Sequence, residues 1–208
     1  MEKKGNMKDI IENFQEGELY KNHKKLLEER RKSIKKGNNI IHLQHLGQFS
    51  NDELQEINKN LSSVNLELSS YDKSGDFSAS LETSELIAYF LIHQQLINEI
   101  LKNVGNNAIW EIVKSSLLFG WKKLRNDKYY KITSSTKEEK KVKYGLKIEL
   151  DKNTRFEFEL SGDLDKEIIE NSLDKILDFL KNQKKNETSK LKTSTKYSKK
   201  EKKWKKLK

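Results

Sequence analysis

Residues Leu86 to Trp121 read LIAYFLIHQQLINEILKNVGNNAIWEIVKSSLLFGW, the densest apolar stretch of a chain whose hydrophobic fraction is 34%. Residues 86–98 carry no charge, so any core must be built on this segment. Apolar positions recur at helical spacing until Gly105-Asn106-Asn107 interrupts them. The stretch therefore predicts a central hairpin of two helices, one ending near Val104 and one over Ala108–Leu124.

The second of these helices is apolar around most of its circumference. Trp110, Leu118 and Trp121 widen the apolar arc beyond a single face. A helix of this kind is either central in the core or covered by a partner. These three residues are therefore the predicted core or partner-binding face. Charges at Glu99 and Lys102 leave no run of the roughly 20 apolar residues that a membrane-spanning helix needs.

The clearest strand signal lies on the C-terminal side of this region. Apolar and charged residues alternate over Tyr144–Leu150 and again over Arg155–Leu160. The pattern predicts a β-hairpin with one apolar face and one charged face, on which opposite charges pair across the strands. An amphipathic helix from Ile169 to Leu180 follows and is expected to pack on the apolar face, completing a ββα unit.

Residues 40–81 predict a strand, a helix and a hairpin. Ile40–Leu46 reads as a strand, and Ser50, Asn51 and Asp52 are candidate N-caps for the helix that follows. Val64–Leu68 and Phe77–Leu81 alternate on either side of a turn at Tyr71–Gly75. The predicted fold class is α+β. It comprises a strand-helix-hairpin unit, the central two-helix hairpin and the C-terminal ββα unit, with an N-terminal helical arm and a disordered basic tail.

The net charge of +10 belongs to the end of the chain. Residues 182–208 hold 12 lysines and two acidic side chains, whereas residues 39–181 carry a net charge of −4. We therefore predict an arm at 1–38, an α+β core domain at 39–181 and a Lys-rich tail at 182–208. The tail has too few apolar residues to offset its ordering entropy, so disorder is expected. The thin apolar stripe of the arm fits either a solvated helix or a contact with a protein partner or a second copy.

Several chemistries are excluded or disfavoured. The chain has no cysteine, and it contains none of the common phosphate-loop, nucleophile-elbow or zinc-helix motifs. His42 and His45 are three apart and fall on opposite faces of a strand, so we expect no metal site and no cofactor. The interpretation leans away from an enzyme. With no signal-peptide run at the N-terminus, a cytoplasmic location is expected.

The tail is the predicted functional segment, because lysines there are interleaved with aromatic residues. Lysines neutralise phosphates, while Tyr197 and Trp204 are candidates to stack on unpaired bases. The four arginines lie outside the tail, which favours non-specific contact over bidentate base reading. The predicted binding residues are Lys196, Tyr197, Lys199, Lys200, Lys202, Lys203, Trp204, Lys205, Lys206 and Lys208.

The sequence thus predicts a non-enzymatic cytosolic binding or accessory protein whose tail contacts nucleic acid. The alternative is a membrane-acting protein, of the kind used in bacterial conflict or defence. In that interpretation the tail binds anionic lipid at about 1 kcal/mol per lysine and the central hairpin inserts. The composition, rich in Lys, Asn and Ile, is typical of A+T-rich bacterial genomes.

Overall fold

The computed structural model describes residues 18–74, 86–102, 108–132, 136–160, 165–185, 191–198 and 201–206 of the chain. The chain divides into two compact units, Met1–Lys35 and Lys36–Lys208. In the first unit, helix α1 spans Glu18–Lys32, and its Leu26 is exposed.

The described part of the second unit contains four helices and nine strands. Its helices are α2 (Asn51–Ser62), α3 (Gln94–Lys102), α4 (Ala108–Leu124) and α5 (Lys166–Lys185). Its strands are β1 (Ile40–His45), β2 (Glu67–Asp72), β3 (Ala88–Ile92), β4 (Lys128–Ile132), β5 (Lys137–Lys141), β6 (Tyr144–Glu149), β7 (Thr154–Glu159), β8 (Leu191–Ser198) and β9 (Lys203–Lys206).

Seven of the described strands form one mixed sheet, in the order β2-β1-β3-β6-β7-β8-β9, and β4 pairs with β5 in a separate two-stranded sheet. The pairs β1–β2, β3–β6 and β7–β8 are parallel. The pairs β1–β3, β6–β7 and β8–β9 are antiparallel. A parallel pair needs a long crossover connection, and helices lie in all three of these connections. The protein is therefore mixed α+β.

Helices α2, α4 and α5 pack side by side and against the sheet. Every second residue of the central strands faces these helices. Examples that are fully buried, one from each of four strands, are Leu43, Phe90, Leu146 and Phe158. We call the opposite side of the sheet the outer face. Because β6 pairs with β7 in antiparallel register, the predicted C-terminal hairpin is confirmed, although it sits inside the larger sheet. Ser50 caps α2 through a reciprocal capping box with Glu53, as its sequence position predicts.

The predicted two-helix hairpin is wrong in its first half. Ala88–Ile92 forms β3, and the helix that follows is limited to Gln94–Lys102. Strand β3 lies between β1 and β6, so both of its edges are paired, and Ala88, Phe90 and Ile92 are fully buried. Its outer-face residues Tyr89 and Leu91 are apolar too, which hides the strand alternation in a continuous apolar run. The predicted break at Gly105-Asn106-Asn107 lies outside the described residues.

The predicted hairpin over residues 64–81 is also corrected. Strand β2 begins at Glu67 and runs parallel to β1, with α2 as the crossover between them. Tyr71 and Asp72, predicted to start a turn, pair with Gln44 and His45. A local sequence pattern does not specify which strand will pair in parallel with another when a helix separates the two in the chain. The predicted strand at 77–81 lies outside the described residues.

The prediction of a disordered tail is wrong for residues 191–198 and 203–206. They form β8 and β9, which extend the sheet beyond β7. Tyr197 and Trp204 are 8% and 4% exposed and belong to the core. Composition misled here because the tail needs no core of its own. Its few apolar residues join a core that the other elements have already built.

Candidate functional site

The inner side of the β8–β9 hairpin is structural. The indole ring of Trp204 meets Phe158 edge-on at 4.9 Å between centroids and Tyr197 at 5.5 Å. Its Nε1 donates a hydrogen bond to the backbone oxygen of Ser172 in α5, 2.7 Å away. Neither predicted stacking ring is therefore accessible to a base or to a membrane interface in this fold.

The other side of the same hairpin carries lysines. Side chains alternate along a strand, so Lys203 and Lys205 lie on the outer face when Trp204 faces the helices, and both are exposed. Lys196 pairs with Lys205 across the hairpin. Lys206 falls on the helix side, with its Nζ 5.6 Å from the centroid of the Phe156 ring. Of the remaining predicted lysines, Lys202 is exposed in the turn, and Lys199, Lys200 and Lys208 lie outside the described residues.

One carboxylate in the hairpin turn competes for these lysines. Glu201 forms ion pairs with Lys203, at 2.8 Å, and with Lys205. Hydrogen bonds from the two ammonium groups lower the pKa of the Glu201 carboxyl below its usual value. All three side chains are well exposed, so water and salt screen the pairs and make them weak.

The predicted core or partner-binding face of α4 is covered by this chain itself. Trp110 and Trp121 are 3% and 1% exposed, and Leu118 packs against the same core while partly buried. Arg125 lies over the Trp121 ring, with 5.2 Å between Cζ and the ring centroid. These residues act as core. Within the described ranges, every helix is too short or too polar to span a lipid bilayer.

The outer face of the central strands holds a buried ion pair. Lys147 and Glu157 are opposite one another in the β6–β7 register, 3.3 Å apart between Nζ and Oε1. The Lys147 ammonium also lies 3.8 Å from the centroid of the Tyr89 ring, and the Tyr89 hydroxyl donates to Gln44 Oε1 at 2.7 Å. The charge pairing matches the expectation from the sequence. Its burial is a difference from the sequence pattern, since the charged face of an antiparallel hairpin is commonly solvated.

A second polar cluster lies beside this pair. Glu149 accepts hydrogen bonds from His93 Nδ1 and from Arg155, and the His42 ring meets His93 edge-on at 4.9 Å. Burial alone would raise the pKa of Glu149, but its two partners outweigh burial and lower it. Burial, reinforced by the neighbouring His93, lowers the pKa of His42 against the opposing pull of Glu149. The cluster therefore favours an ionised Glu149 and a neutral His42.

His45 lies on the helix side of β1, opposite to His42, as the strand interpretation predicts. Its Nδ1 accepts from the backbone N–H of Gly47 at 3.0 Å, which leaves Nε2 to donate to Ser70 Oγ at 2.9 Å. Burial lowers its pKa, with Asp72 opposing. His45 is a neutral histidine with both nitrogens satisfied. Among the described residues, no group of three or more His, Asp or Glu side chains is placed to hold a metal ion.

Sequence reasoning missed the cluster around Glu149 and also the exposed ring of Tyr130. The predicted helix that ends near Val104 includes His93, so the sequence pattern does not place His93 directly after β3 and beside Glu149. The alternation over Tyr144–Leu150 did place Lys147 and Glu149 on the correct face. Tyr129–Ile132 indicates the start of a strand, and Tyr130 lies in that strand, β4.

The fold and the site together define a mixed α+β protein with a lysine-bearing sheet edge. Comparison of the chain with protein-family models, with curated proteins and with solved structures finds no match.

Proposed function

We propose that this protein is a nucleic-acid-binding accessory protein whose C-terminal β8–β9 hairpin contacts phosphates without reading the base sequence. The observation that carries the proposal is the division of the hairpin into two sides. Trp204 and Tyr197 fix the inner side in the core, and Lys203 and Lys205 are exposed on the outer side.

A strand is a better support for phosphate contacts than a disordered tail. Lys203 and Lys205 are two residues apart on β9, a rise of roughly 6.7 Å, and Lys196 pairs with Lys205 on the neighbouring strand. The backbone positions are therefore fixed before binding, so association does not have to order the segment. The last 27 residues supply 12 lysines, which favours attraction to a polyanion.

Lysine as the only cation in this region supports non-specific contact. A compact ammonium binds phosphate as a point charge and lacks the planar fork with which arginine reads a guanine edge. The binding free energy should thus come mainly from counterion release and depend steeply on salt.

Anionic lipid is the alternative ligand for the same lysines. A peripheral membrane segment also needs an apolar anchor in the interface, and Trp204 would have been that anchor. Because Trp204 is buried and bonded to Ser172, the lysines are left without it. The buried position of Trp204 therefore favours nucleic acid over anionic lipid as the ligand of these lysines. Vesicles containing phosphatidylserine are the comparison probe in the test below.

The test uses the full chain and three variants. Lys203→Gln/Lys205→Gln removes two outer lysines. Lys59→Gln/Lys102→Gln removes the same charge from exposed positions on α2 and α3. Glu201→Gln removes the competing carboxylate. Affinity for a fluorescent 20-nucleotide single strand and for the corresponding duplex is measured by anisotropy at several salt concentrations, and circular dichroism checks the fold.

We expect Lys203→Gln/Lys205→Gln, the hairpin variant, to bind more weakly than the wild type. The slope of its log affinity against log salt concentration should be shallower by about 0.7 to 0.9 for each phosphate that is no longer neutralised. Lys59→Gln/Lys102→Gln, the helix variant, should match the wild type in affinity. Glu201→Gln should bind more tightly than the wild type, and misfolding cannot produce such a gain. Equal affinities for the hairpin and helix variants would overturn the proposal. So would binding to anionic vesicles with none to either nucleic acid.

A further inference from the structure

The β4–β5 hairpin carries an exposed aromatic ring. Tyr130 is 56% exposed, and the other large hydrophobic residue exposed in the described chain, Leu26, belongs to the N-terminal unit. Tyr129 packs against the core, so alternation along β4 directs Tyr130 to the opposite side. The hairpin is thus anchored by one tyrosine and presents the next one to solvent.

Neighbouring side chains hold this ring in place without covering it. Lys137 Nζ lies 4.4 Å from the ring centroid, and the Tyr130 hydroxyl donates to Glu139 Oε2 at 3.3 Å. Glu139 is in turn paired with Lys128 at 2.5 Å. An ammonium on one face and a hydrogen bond at the hydroxyl fix the ring orientation, while more than half of its surface stays open. Such a ring is pre-organised for stacking.

The surroundings of the ring are basic. Strands β4 and β5 contain five lysines and two glutamates. The cross-strand register sets Tyr130 opposite Glu139, with Lys128 opposite Lys141 at one end and Ile132 opposite Lys137 at the other. Residues opposite one another share a face, so the face with Tyr130 also carries Lys128, Lys137 and Lys141. An open aromatic ring between cations matches a strand that carries phosphates and unpaired bases.

We infer that Tyr130 is a stacking platform for an unpaired base, and that the ligand of this protein is single-stranded nucleic acid. The inference rests on the function proposed above and specifies its ligand. A base stacks on the open face of the ring while Lys137 and Lys141 contact the flanking phosphates. Bases in a duplex are already stacked on one another and cannot make this contact except at an end. The protein should therefore prefer single strands.

The test compares Tyr130→Ala, which removes the ring, with Tyr130→Phe, which keeps the ring and loses the hydroxyl. The probes are a 20-nucleotide single-stranded DNA, the same sequence as RNA, its DNA duplex and an abasic single strand of equal length. The abasic strand presents the phosphates without bases. A thermal melt of both variants checks the fold, which is expected to be unchanged because the ring is exposed.

Tyr130→Ala is expected to bind the single strand roughly 5- to 150-fold more weakly, the range for loss of one stacked base. Its affinities for the abasic strand and the duplex should equal those of the wild type, and Tyr130→Phe should keep most of the single-strand affinity. The DNA and RNA probes decide which sugar is preferred. If Tyr130→Ala binds the single strand as tightly as the wild type does, the inference about Tyr130 is overturned, and the proposal for the β8–β9 hairpin stands. Absence of all nucleic-acid binding by the wild type would overturn both.

Discussion

The indole Nε1 of Trp204 donates a hydrogen bond to the backbone oxygen of Ser172, which ties the last strand of the sheet to helix α5. The ring is buried between Phe158 and Tyr197. Strands β8 and β9 therefore contribute to the folded core and also carry the candidate binding surface. A substitution in these strands is expected to affect stability when the side chain points inward and, under the proposed function, binding when the side chain points outward.

The inward side is expected to control stability. Trp204→Ala should lower the free energy of unfolding by about 3–5 kcal/mol, because it opens a cavity and leaves the Ser172 oxygen without one donor. Trp204→Phe should cost less, since it keeps a ring against Phe158. Lys203→Ala, on the exposed side, should stay within about 0.5 kcal/mol of the wild type. Urea unfolding measures all three.

Deletion of residues 182–208 gives a stricter form of the same prediction. It removes β8, β9, both buried rings and the last turn of α5, so the truncated chain should unfold at a lower urea concentration than the full chain. An unchanged urea midpoint would show that the hairpin is not part of the folded unit.

Gly120 in α4 is expected to tolerate no larger residue. A Cβ added there would lie 2.3 Å from the Tyr144 hydroxyl oxygen and 2.7 Å from Tyr144 Cζ. Alanine normally stabilises a helix interior by roughly 1 kcal/mol relative to glycine. Here the tyrosine is fully buried and donates to the Leu117 oxygen at 3.1 Å, so it cannot move freely. Gly120→Ala should therefore destabilise the protein by about 1–3 kcal/mol.

A double-mutant cycle with Tyr144→Phe checks the cause of that destabilisation. Removing the hydroxyl relieves the closest contact, so Gly120→Ala should cost less in the Tyr144→Phe background than in the wild type. If the costs are equal in both backgrounds, contact with Tyr144 is not the reason.

The ion pair between Lys147 and Glu157 should show strong non-additivity. Lys147→Met leaves a buried carboxylate without its cation and is expected to cost about 3–5 kcal/mol. Glu157→Leu should likewise be destabilising. The double variant should be far closer to the wild type than the sum of the single variants, because both desolvation penalties disappear together. Additive losses in chemical unfolding would argue against a coupled pair.

His45 is expected to make the fold sensitive to mild acid. Burial lowers the pKa of His45 in the folded protein below 6.5, the value of a free histidine. At a pH between these two values, His45 is protonated more fully in the unfolded chain than in the folded one, so protonation favours unfolding. The stability that neutral His45 contributes is fully present above pH 6.5 and is lost as the pH falls through the pKa of His45 in the folded protein. His42, whose pKa is also lowered, contributes in the same direction.

The variant His45→Gln separates the two histidines. It should be less stable than the wild type at pH 8, since Gly47 and Ser70 lose a buried partner. Between pH 8 and pH 5, however, its free energy of unfolding should change less than that of the wild type. Parallel pH profiles for the two proteins, measured by urea unfolding, would exclude His45 as the titrating group.

Local patterns in the sequence were sufficient wherever neighbouring residues decide the structure. The alternation over Tyr144–Leu150 and Arg155–Leu160 predicted β6, β7 and their paired charges, because a hairpin brings its own partner strand. For the same reason, the sequence limited the N-cap of α2 to three adjacent residues that include Ser50, and it predicted the bounds of α4. The candidate lysines at Lys203 and Lys205 could be named from composition, since an exposed lysine needs no particular neighbour.

The tertiary structure decided the features that depend on a distant partner. Ala88–Ile92 reads equally well as a helix or a strand, and becomes β3 because β1 and β6 are available on both sides. Residues 191–198 and 203–206 look too polar to form strands of a sheet. They form β8 and β9 because the edge of β7 offers hydrogen bonds and α5 offers the Ser172 oxygen to Trp204. Charge and local periodicity are written in the sequence itself. The pairing of strand edges and the burial of an isolated ring depend on surfaces that exist only after the rest of the chain has folded.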